Sequence, residues 1–145
     1  MAYFGLMVDL EHIADNISSK KLIPILEQLY AETGNEMKRI FIVTIMHECR
    51  MPNVENHLLE LMRATKHHSV MEMGYFVITQ WIILCRQEKV PSNMVKVFKE
   101  IFMMRNGISG RSDERQFNLE LASISKAHVQ QINRHMYVAG YQIEK

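Results

Sequence analysis

Seven histidines raise the question of metal chemistry first. The stretch "MHECRM" (Met46 to Met51) approaches the HExxH pattern of zinc proteases, with His47 and Glu48 in place. Met51 stands where the second histidine is required. That chemistry needs two imidazoles one turn apart on one helical face, so the ligand set fails. His67 and His68 are adjacent, and neighbouring positions on a helix do not face one site. They read as part of a connection between helices. "NGISG" (Asn106 to Gly110) carries glycines, but it follows a helix and lacks the lysine of a phosphate-binding loop. No nucleophile elbow or glycine-rich dinucleotide turn is present. The sequence therefore predicts no enzyme, no bound metal and no cofactor.

Two further histidines, His128 and His135, lie seven apart in the last segment. There Phe117, Leu121, Ile124 and Ile132 form one apolar face, and both histidines fall near its centre. Either they make ordinary hydrogen bonds at a packing edge, or they form a contact with a partner that responds to protonation near neutral pH.

The chain that must position these groups has 145 residues and a formal charge of +1. Its length argues for one all-helical domain over residues 1–145. Near-neutral charge weakens a dedicated nucleic-acid role, which usually brings a basic bias. Cys49 and Cys85 are the only cysteines, and the first residues lack the basic start of a signal peptide. An intracellular setting, cytoplasmic or nuclear, with both thiols free is expected.

About seven helices are predicted from apolar spacing, caps and breakers. The first covers roughly residues 3–16. The second lies within "SSKKLIPILEQLYAETG", with Pro24 in its first turn and Gly34 as its stop. A third runs from Glu36 to Arg50 and halts before Pro52. Asn53 caps a fourth. Ser69 and Glu72 have the form of a capping box for a fifth, which ends near Arg86. Ser92 caps a sixth that reaches about Met104, and Arg105 to Ser112 is a loop. Asp113 and Gln116 mark the start of a long seventh helix, about 113–139.

Self-similarity is the strongest signal in this pattern. Glu36-Met37 precedes Cys49-Arg50, and Glu72-Met73 precedes Cys85-Arg86 at the same spacing. A proline follows each unit, Pro52 and Pro91, and then a cap and a second helix. Units 35–68 and 69–105 thus read as two helical hairpins. At the level of architecture this resembles HEAT-type or armadillo-type stacking. The resemblance implies a short stack of antiparallel hairpins with a surface for partners. A compact irregular bundle is the other arrangement of the same helices.

The fifth helix has no charged residue between Met73 and Cys85. Those 13 residues are too few, and Gln80 and Thr79 too polar, for a membrane span of about 20. Apolar residues surround the helix, which reads as a core element with neighbours on both sides.

The residues left for function lie on the helices beside it. The sixth helix carries more apolar surface than one face needs, and Val95, Phe102 and Met103 extend the arc. That surface meets either a partner or the long last helix. With His128 and His135 these are the candidate partner-binding residues. Arg50, Arg63, Arg86 and Arg105 form a candidate basic rim. The expected function is a non-catalytic protein–protein interaction module, a scaffold or adaptor in an intracellular complex, with homodimerisation compatible. The alternative is a nucleic-acid-associated helical protein, of viral type, that uses a basic ridge. No membrane role is expected.

Overall fold

The computed structural model describes residues 19–109 and 113–138. Among them are six helices and no strand: α1 (Ser19–Glu32), α2 (Glu36–Glu48), α3 (Val54–Ala64), α4 (His68–Ile83), α5 (Ser92–Ser109) and α6 (Glu114–Val138). The helix expected over residues 3–16 lies outside the described residues. The chain divides into two compact units, one through Val70 and one from Met71 onward.

In the first unit α1 packs on α2, and α2 packs on α3. Asn35 caps α2 by accepting a hydrogen bond from the Lys38 amide at 3.0 Å. Seven consecutive residues, Ile40 to Met46, are buried. At about 100° per residue, seven positions pass right round a helix, so α2 is buried on all sides. The sequence assigned that role to α4. Within this run Thr44 is satisfied locally, its hydroxyl donating to the Phe41 carbonyl at 2.6 Å. Arg39 ties the unit together, stacked over the Tyr30 ring and donating to the Thr33 carbonyl at 2.8 Å. Tyr30 also meets His57 of α3.

The turn from α2 to α3 is where local geometry departs from expectation. α2 ends in paired bonds, Arg50 N–H to His47 carbonyl and Met51 N–H to Met46 carbonyl. This is the Schellman closure, and it places Arg50 in the left-handed region, φ 59°. Glycine is the usual occupant because a Cβ is strained there. Asn53, expected as a side-chain cap, is also left-handed at φ 60° and makes no capping bond. Asparagine tolerates that conformation, and the sharp turn after Pro52 requires it.

In the second unit α5 packs on α6. Tyr75 of α4 meets Phe98 and Phe102 of α5, and Phe117 of α6 meets both phenylalanines. Glu72 pairs with Arg105, so the start of α4 lies beside the end of α5 and the two run antiparallel. The capping box predicted at Ser69 is not used. α4 begins at His68, which puts Ser69 inside the helix, and Glu72 turns to Arg105. The loop predicted from Arg105 is helical as far as Ser109. Arg105 is held by Glu72, and Gly107 inside a helix costs only about 1 kcal/mol. At the other end, α6 begins as predicted, with the Asp113 carboxylate accepting from the Gln116 amide at 2.7 Å.

The strained arginine gives a direct test. Arg50→Gly is expected to stabilise the protein by roughly 0.5–1 kcal/mol, the relief of the left-handed strain less the entropy that glycine returns to the unfolded chain. Arg50→Val is expected to destabilise it, and urea midpoints of the two variants report the difference.

Candidate functional site

The rotation of α4 about its own axis decides which side chains meet solvent. Val70, Met71, Val77, Ile78, Trp81 and Ile82 are buried on one broad side. Met73, Phe76, Gln80, Ile83 and Leu84 lie on the other. On a helix of 100° per residue these five share an arc of about 100°, over a length of about 16 Å. Phe76 is 57% exposed and Leu84 54%; Met73, Gln80 and Ile83 are half-buried. None of the five is charged. Other exposed apolar residues sit among charges: Ile25 and Leu29 near Lys21 and Glu32, Leu119 near Arg115 and Lys126. Scattered residues of that kind are normal on a protein surface, whereas the α4 stripe is continuous and uncharged.

A clamp beside this face sets the rotation. The Arg105 guanidinium stacks 4.3 Å above the Tyr75 ring and donates to Glu72 at 2.9 Å and to Asn106 at 3.1 Å. Burial raises the pKa of the Tyr75 phenol; the Glu120 carboxylate, which accepts its hydrogen bond, raises it further, and Arg105 offsets part of the rise. Tyr75 is therefore a neutral donor throughout the physiological range. It joins α4 to α6 through Glu120 and to α5 through Arg105. Lys99 pairs with Glu114 and lies over the Phe117 ring, adding a second tie between α5 and α6.

His128 closes the far end of the unit. Its ring is 4% exposed, and Nε2 lies 3.1 Å from the Cys85 carbonyl and 3.0 Å from the Gln87 carbonyl. Two acceptors require Nε2 to carry a proton and donate to both. One imidazole thus satisfies carbonyls just past the end of α4, which the helix itself leaves open.

No protein-family profile matches the chain, and no curated protein or solved structure matches it either.

The candidate residues named from sequence fall in several places. Phe102 is 3% exposed, inside the aromatic cluster with Tyr75, Phe98 and Phe117, so the last helix covers it. Val95 and Met103 are half-buried on α5. His128 is a buried packing residue with backbone partners, and the side chain of His135 lies outside the described residues. Among the rim arginines, Arg50 and Arg63 are exposed in the first unit and Arg86 in the second. Arg105 is taken up by Glu72 and Tyr75. Phe76, Leu84, Met73 and Ile83 were not singled out. Their signal was the uncharged run itself, which was assigned to the core.

The chemistry available among the described residues is limited. No group of three or more histidine, cysteine, aspartate or glutamate side chains comes together to hold a metal ion. Cys49 is buried and Cys85 half-exposed, and neither is in a disulfide. No described helix is long and apolar enough to cross a membrane. His47 is perturbed: burial lowers its pKa below the ordinary 6.5, partly offset by Glu48 and Glu55.

Two measurements follow from these placements. His128→Ala leaves two carbonyls without their donor and is expected to cost about 2 kcal/mol in urea denaturation. For His47, the unfolded chain takes up a proton at a higher pH than the folded one. The unfolded state then binds more protons, and stability rises with pH in that window. Stability is expected to fall as pH is lowered through 6.5, and His47→Asn is expected to flatten that fall in urea midpoints taken across the range.

Proposed function

We propose that this chain is a non-catalytic protein–protein interaction module, a scaffold or adaptor subunit, and that the uncharged face of α4 is its contact surface. The observation that carries the reading is the continuous stripe of Met73, Phe76, Gln80, Ile83 and Leu84, with its two largest members more than half exposed. Large apolar side chains in water favour a partner that buries them, by about 25 cal/mol for each Å² covered. Methionine and phenylalanine suit such a surface, since both are enriched at the cores of interfaces. The stripe is held on a rigid support, because the clamp of Tyr75, Arg105 and Glu72 fixes the helix behind it. Contact faces on braced helices lose little freedom on binding.

The helical pairs on either side of the unit boundary fit the same reading. α2 with α3 and α4 with α5 are proposed as two copies of one hairpin, in the manner of helical repeat proteins that recognise partners along their outer helices. Arg86, exposed just past the end of α4, supplies positive charge beside that helix.

The tagged chain, its Phe76→Glu variant and its Leu84→Glu variant are to be used for capture from native extract, with and without nuclease. The expected result is a set of proteins, copies of the chain included, held by the wild type under nuclease and lost from both variants. Retention of the whole set by both variants sinks the reading. Loss of the set to nuclease alone supports the nucleic-acid alternative.

A further inference from the structure

We draw no further inference here: the strongest candidate, the uncharged outward face of α4 formed by Met73, Phe76, Gln80, Ile83 and Leu84, is the surface already proposed for partner contact, and nothing in the structure shows what covers it.

Discussion

The contact on which the second unit depends is the stack of Arg105 on Tyr75, with Glu72 holding the guanidinium from the side. α4 has no charge from Met73 to its end at Ile83, so hydrophobic burial alone barely distinguishes one rotation of it from another. Every face offers similar apolar area to a neighbour, and the hydrophobic effect has no direction. Polar contacts do have direction. Tyr75 must reach Glu120 and lie under Arg105, and Glu72 must reach the same arginine. Those requirements turn the helix so that Val77, Ile78, Trp81 and Ile82 go inside and Phe76 stays out. The aromatic cluster of Phe98, Phe102 and Phe117 then closes beneath Tyr75.

This explains what could be read from the sequence and what could not. Helix type followed from apolar spacing and from breakers, because those signals are local: Pro52 and Pro91 end segments, and Asp113 caps α6 through its own side chain. The apolar face of α6 was legible for the same reason, with Phe117, Ile124 and His128 buried along it. Where a distant side chain overrules a local preference, the reading failed. Ser69 and Glu72 have the form of a capping box, yet Glu72 is drawn away by an arginine 33 residues later. That same arginine carries helix through Asn106 and Gly107, where local rules put a loop. The outward face of α4 was hidden by the uniformity of its composition. A stripe is visible in sequence only when its opposite side differs from it.

The repeat signal must be weighed against what each copy of it does. Glu36 and Glu72 hold matching positions in sequence but sit in different surroundings. Glu72 is paired with Arg105, while Oε2 of Glu36 is buried without a hydrogen-bond partner among the described residues. The helices that carry them differ in the same sense. α2 is buried around its whole circumference; α4 leaves one face to solvent. The connections differ as well, five residues from Cys49 to Asn53 against eight from Leu84 to Pro91. The short one is closed by backbone strain at Arg50. The long one is closed by His128, which donates to carbonyls within it. If both pairs descend from one hairpin, they have diverged into a buried support and an outward-facing element.

Charge is distributed unevenly along α4. An exposed stripe with no purpose is a hazard, and proteins commonly blunt such surfaces with lysine or glutamate. Here charge is present at Glu72, near the start of α4, and at Arg86, past its end, and absent between them. Glu72 and Arg86 bracket the stripe without entering it. At an interface, charge at the core is costly because burial strips its water, while charge at the rim keeps its water and still selects orientation. A single glutamine, Gln80, stands at the centre of the stripe, half-buried and uncharged.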